Sequence, residues 1–186
     1  MMKTGILMDG APIELIDGML VLKDRSARGQ SEGMISPRHA TGISKLDQFL
    51  QTLKSPGYFR RMQSPITLGS TQEPEPDGAV VRGTIDNFTL QHPGPRDLLA
   101  VMEVSLSSLS YDRGTKLNIY ARAGIPLYVI VNLNEDVVEV LWEPSESNQT
   151  YEQQKLLKIG DVLKLEFAPG VAISTPVAEL IPPPGE

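Results

Sequence analysis

The chain has 186 residues, 40% of them hydrophobic, a formal net charge of −6 and no cysteine. That length suits one globular domain with a sizeable buried core, and the missing cysteines exclude disulfides and thiolate metal sites. Two histidines, His39 and His92, do not make a histidine-rich zinc centre, and an acidic balance makes a poor general-purpose binder of nucleic acid.

The N-terminal "MMKTGILMDG" lacks a charged start followed by a long apolar stretch, so no signal peptide is expected. No apolar run approaches the roughly 18 to 20 residues of a spanning helix, and a soluble, cytoplasmic protein without a membrane partner is the expectation. "IELIDGMLVLK" (13–23) is two apolar runs around Asp17-Gly18, a hairpin signal. "DRSARGQSEGMIS" (24–36) is polar and glycine-containing and reads as a mobile loop. Ser36-Pro37 then offers an N-cap followed by proline at the first helical position, and Ile43, Leu46, Leu50 and Leu53 predict a helix over 37–53.

"GYFRRMQSPITLG" (57–69) reads as one or two strands split near Ser64-Pro65, and "TQEPEPD" (71–77) leads stiffly into the strand "GAVVRG". The proline and glycine of "TIDNFTLQHPGPRD" (84–97) make it a loop. A strand over 98–105 follows, then a helix over about 110–123 closed by Gly124. "PLYVIVN" and "DVVEVLWEP" read as a strand pair around Asn134-Glu135, and the tail alternates as "KLLKIGDVLKLEF" before a short element at "PVAELI" and a disordered "PPPGE". This order predicts a mixed α/β sheet flanked by at least two helices.

Glu103 is the anomaly, a carboxylate set among Leu98, Leu99, Ala100, Val101, Met102 and Val104. Burying an ionised side chain without a partner costs several kcal/mol or forces it to take up a proton. Asp77, 26 residues earlier (103 − 77), opens the preceding strand, and a loop of that length can set the two strands side by side. Two carboxylates meeting there repel unless a cation lies between them. Mg²⁺, bound through one or two carboxylates plus water and phosphate, suits a site without soft ligands. Ser105 shares the face of Glu103. On the next helix Asp112, Lys116 and Tyr120 recur every four residues and so stack on one side. There Lys116 would hold a phosphate oxygen or orient the attacking water. The competing structural readings are a surface Asp112–Lys116 pair on an exposed helix and a Glu103 neutralised by Arg82 or Arg96.

"EPEPDGAVVRG", "HPGPRDLLAVMEVSLSSLSYDRGTKLNIYARAGIPLYVIV", the early "IELIDGMLV" and the late "PVAELI" together resemble the Uma-two family of restriction-endonuclease-like proteins, within the PD-(D/E)XK nuclease superfamily. The resemblance covers roughly 12–182 and implies a restriction-endonuclease-like core in one nuclease-like domain over 1–186. It also implies a Mg²⁺-dependent site, with Mn²⁺ as a substitute, acting on nucleic acid, chiefly DNA. Asp77 matches the aspartate of the Pro-Asp motif and Glu103 the acidic residue of the second motif, together the metal ligands. Ser105 departs from the pattern, which expects lysine there; Lys116 is the candidate replacement. Glu14 matches the extra acidic ligand that superfamily members draw from an early element, against a solvent-facing strand residue as its plain reading. Tyr120 is a hydrogen-bond donor to a carboxylate or phosphate, or simply core.

Glu75, His39 and the pair Arg60-Arg61 are weaker candidates, while Trp142 and Met102 read as core. The function expected is metal-assisted hydrolysis of phosphodiester bonds by Asp77, Glu103 and Lys116, with a homodimer or another polypeptide supplying specificity. The alternative is a catalytically inert nuclease-fold binding or assembly module, favoured by the charge of −6 and the lack of a dense Arg/Lys stripe. A third reading is a metal-dependent enzyme acting on a small phosphate-containing substrate.

Overall fold

A computed structural model describes residues 13–22 and 36–184. The expected loop over 24–36 therefore lies outside the described residues except for Ser36. A hairpin, β1 (Ile13–Ile16) and β2 (Met19–Leu22), turns at Asp17 and Gly18, both with positive φ. Helix α1 (Pro37–Leu50) starts as its sequence predicts, with the Ser36 side chain accepting from the His39 amide and proline in the first turn. It ends earlier than expected, because the amides of Thr52 and Leu53 turn back onto Phe49 and Leu50 carbonyls.

Six strands make the main sheet, in the order β3 (Tyr58–Met62), β4 (Gly78–Arg82), β5 (Leu98–Ser105), β6 (Leu127–Asn132), β7 (Val137–Ser145) and β8 (Thr150–Lys158). The β5–β6 pair is parallel and the others antiparallel. A parallel pair needs a crossover, and the segment between these strands supplies it. That crossover is one helical run in three parts: α2 (Leu109–Tyr111), a π-helical turn (Asp112–Lys116) and α3 (Leu117–Arg122). The wide turn closes through the Leu117 amide on the Asp112 carbonyl, which also accepts from the Tyr128 hydroxyl at 3.1 Å. Arg113, inside the turn, donates through Nε and a terminal nitrogen to the buried Glu139 of β7 at 2.8–3.1 Å. The turn is thus fastened to the sheet from two sides.

Every residue of β5 is buried, as a strand covered on both faces must be. Alternation divides its side chains. Met102 and Val104 pack with Leu46 and Leu50 of α1 and with Leu163, Leu165 and Ile173 from a second hairpin, β9 (Val162–Ala168) and β10 (Val171–Pro176). Val101 packs with Ile119, Tyr120, Tyr128 and Ile130 beneath the crossover, where Ile16 of β1 joins. Glu103 and Ser105 share the parity of Val101, so period-2 alternation sends them toward the crossover side.

The expected run "KLLKIGDVLKLEF" is two strands in different sheets, parted at Gly160, whose φ is +107°. In 57–69 the first half forms β3 and the second half forms no strand. Pro182, in the expected disordered tail, is buried with its carbonyl 3.4 Å from an Arg38 nitrogen.

Candidate active site

The β4–β5 register sets Gly78 opposite Met102 and Ala79 opposite Val101. Continued by one residue, it sets Asp77 opposite Glu103, where side chains of directly paired residues share a face. At this point the backbone amides turn to carboxylates. The Val104 amide donates to Asp77 Oδ2 at 2.9 Å and the Asp77 amide to Glu103 Oε2 at 3.4 Å. Both side chains are buried, each residue about 3% exposed.

The cation that accompanies Glu103 is Lys116. Its Nζ lies 2.5 Å from Glu14 Oε1 and 3.2 Å from Glu103 Oε1. Lys116 is only 2% exposed, which sets aside the competing reading of a surface pair, and neither arginine considered for Glu103 serves: Arg82 lies over the Tyr58 ring at 5.8 Å, and Arg96 is exposed. Burial opposes the ammonium charge, but the Glu103 and Glu14 carboxylates outweigh it and hold the Lys116 pKa above the ordinary lysine range. Tyr120 completes the group by donating to Glu103 Oε1 at 2.7 Å.

Glu14 is buried rather than solvent-facing, and its Oε1 also accepts from the Glu75 amide at 2.6 Å. The β1–β2 hairpin is thereby tied to the segment that leads into Asp77.

Asp112 and Lys116 lie on one side of the helical run, as their spacing predicts, but both are buried and each has its own partners. Asp112 Oδ2 accepts from Ser105 Oγ at 2.6 Å and Ser108 Oγ at 2.7 Å. Ser105, at the position where a lysine is expected, thus faces a carboxylate of the crossover. Burial pushes the Asp112 carboxyl up; the two serine hydroxyls and Lys116 pull against that without cancelling it.

Sequence reasoning placed His39 too low. Its Nε2 lies 3.7 Å from Asp77 Oδ2 and its side chain is mostly buried. What brings α1 so near is two glycines. A Cβ on Gly42, one turn from His39, would come 2.8 Å from Val104 Cγ1, and one on Gly78 would come 3.1 Å from Leu50 Cδ1. Arg60 is instead paired with Asp47 at 2.6 Å, and Arg61 lies 3.0 Å from His92 Nδ1, which agrees with a structural edge.

These groups open onto one cavity of about 320 Å³, where Glu14, His39, Asp77, Glu103, Asp112 and Lys116 meet Val21, Leu22 and Tyr111. The Tyr111 hydroxyl is buried, without a hydrogen-bond partner among the described residues, and burial first of all pushes its pKa up to about 12. The spacing of Ser108 and Tyr111 gave no signal of their place in the cavity. The possible metal donors here are hard carboxylate oxygens. Among the described residues no group of three or more His, Asp or Glu side chains is arranged to hold a metal by itself. A pair such as Asp77 and Glu103 fits an ion that keeps water or substrate oxygens in its shell, as Mg²⁺ does.

Comparison with known proteins agrees with this fold. The crystal structure of a "putative nuclease belonging to DUF820" from Anabaena variabilis is similar with a TM-score of 0.64 and 14% identity, over 94% of this chain and 92% of that one. At that identity the likeness concerns the fold. No curated protein matches the chain. A family model does, across residues 10–177, from the first hairpin to the end of the sheet elements, and the chain belongs to that family, Uma2, described as "Putative restriction endonuclease".

Proposed function

We propose that this chain is a metal-dependent endonuclease that hydrolyses phosphodiester bonds of nucleic acid, DNA in the first place. The observation that carries the reading is the meeting of Asp77, Glu103 and Lys116 in one buried-walled cavity, although they come separately from the residue before β4, from β5 and from the crossover. Asp77 and Glu103 would hold the ion, their carboxylates already oriented by the Val104 and Asp77 amides. Mg²⁺, or Mn²⁺ in its place, supplies Lewis acidity toward the phosphate and a bound water of lowered pKa. Lys116 offers a fixed positive charge at a buried position, where it would stabilise negative charge developing on the phosphate better than it could in bulk water. Tyr120 keeps Glu103 in place and Glu14 keeps Lys116 in place.

The experiment is metal linkage to stability. A ligand at about 100 times its dissociation constant stabilises by roughly 2.7 kcal/mol, about 5–10 °C at this size. Melting with Mn²⁺ should show that shift in the wild type and lose it in Glu103→Gln; an equal shift in both would put the ion elsewhere.

One observation favours a second reading, a catalytically inert module on the same fold. Lys116 is already neutralised by Glu14 and Glu103. Such a module would bind without cleaving under every divalent ion. A cavity of this size meets few bases, so sequence specificity in either case would come from a second copy of the chain or another polypeptide.

A further inference from the structure

We propose that the site takes an unpaired strand: the nucleotide beside the attacked phosphate enters the cavity with its base against Tyr111, Val21 and Leu22. This rests on the nuclease reading above and names the class of substrate. Three observations carry it.

Depth comes first. Asp77, Glu103 and Lys116 are each no more than 3% exposed, at the wall of a cavity of about 320 Å³, the small end of the roughly 300–1,000 Å³ of small-molecule sites. Duplex DNA is stiff over about 150 base pairs and carries its phosphates on the outside of a wide cylinder. A phosphate in that setting cannot reach side chains so covered, whereas a single strand can bend one nucleotide inward.

The chemistry of the walls is second. Glu14, Glu103, Asp112 and Lys116 give the cavity a charged lining, and Val21, Leu22 and Tyr111 add apolar surface. A nucleotide has the same two parts, an anionic phosphate and a flat base with apolar faces.

Charge is third. Four cavity carboxylates, Glu14, Asp77, Glu103 and Asp112, stand against Lys116, and the chain carries −6 overall. A duplex is gripped chiefly through many Lys and Arg contacts to its phosphates, and here Arg60 is engaged with Asp47. Stacking on an aromatic ring supplies binding that needs no such track.

The test is fluorescence anisotropy at low salt with Ca²⁺ as a non-hydrolysing ion, on one oligonucleotide presented single-stranded and as a duplex. The wild type should bind the single strand at least about tenfold more tightly. Tyr111→Ala should weaken that binding by about 5- to 150-fold, the range for one base stacked on an aromatic ring, and leave the duplex unchanged. Tyr111→Phe, which keeps the ring, should lose much less. Leu22→Asp, at a position 65% exposed and so compatible with folding, should also weaken the single strand selectively. Equal or tighter duplex binding, or variants that weaken both forms alike, would overturn the inference while leaving the nuclease reading standing. No binding of either form by the wild type would overturn both.

Discussion

Lys116→Met removes the ammonium and keeps an unbranched side chain of similar length, so its effect isolates the charge. In the wild type that charge bonds Glu14 at 2.5 Å and Glu103 at 3.2 Å, and both carboxylates are buried. The variant leaves them with hydrogen bonds, from the Glu75 amide and from Tyr120, but with no cation of that pair. Removing one partner of a buried ion pair costs about 3–5 kcal/mol. At this chain length each kcal/mol is about 2–4 °C of melting temperature, so Lys116→Met should melt roughly 6–20 °C below the wild type at pH 7. The Lys116 pKa is raised by folding, so its contribution is complete below the unfolded lysine value of about 10.4 and is lost as pH rises through the higher folded value. The gap should therefore persist across neutral pH and close only above about pH 10. Glu14→Gln added to Lys116→Met removes one stranded charge and should recover part of the loss, a coupling that urea unfolding of the four proteins measures as a double-mutant cycle. A single variant within about 0.5 kcal/mol of wild type, the range of an exposed substitution, with no coupling to Glu14, would refute the buried-cation argument.

Asp112 supplies a second pH signature of the same sense, in the acid range. Burial raises its carboxyl pKa in the folded state, so between that value and about 3.9, the unfolded value, the native state binds more protons and this group adds stability as pH falls. Asp112→Asn keeps an oxygen for Ser105 and Ser108 and removes the titration; denaturant unfolding from pH 7 to 4 should show the wild type gaining on the variant, and a constant difference would contradict it. Gly42→Val puts its Cβ 2.8 Å from Val104 Cγ1 and 3.2 Å from Leu133 Cδ1. Overpacking of this kind costs about 1–3 kcal/mol, read as a melting loss of roughly 2–12 °C, and a variant as stable as the wild type would deny the close seating of α1.

Glu103 was legible because a carboxylate inside an apolar strand contradicts its surroundings, and contradiction is a strong signal in a single sequence. The face shared by Asp112, Lys116 and Tyr120 was legible too, from spacing alone. Spacing reports direction around a helix and not depth, which is why a surface Asp112–Lys116 pair stood beside the site reading of Lys116 and why Ser105 was not seen as the partner of Asp112. The π turn has no local sequence mark; it is held by Tyr128 and by Glu139 through Arg113, residues from β6 and β7. His39 was underrated because its nearness to Asp77 depends on Gly42 and Gly78 lying against side chains of other elements. Glu14 was placed in the right hairpin, but its bond to Lys116 spans 102 residues and no pattern in the chain announces it.

The account turns on whether the cavity cleaves a phosphodiester bond with its own residues. The measurement is an endonuclease assay on single- and double-stranded DNA and RNA at low salt, with Mg²⁺, Mn²⁺ or EDTA, for the wild type, Glu103→Gln and Lys116→Met, each checked for folding. The prediction is cleavage by the wild type that EDTA stops, that Glu103→Gln abolishes and that Lys116→Met lowers by about 10²-fold or more, the scale of one lost electrostatic contact in a transition state. Cleavage that both variants retain at full rate, or a wild type that cuts no substrate with any of these ions, would contradict it.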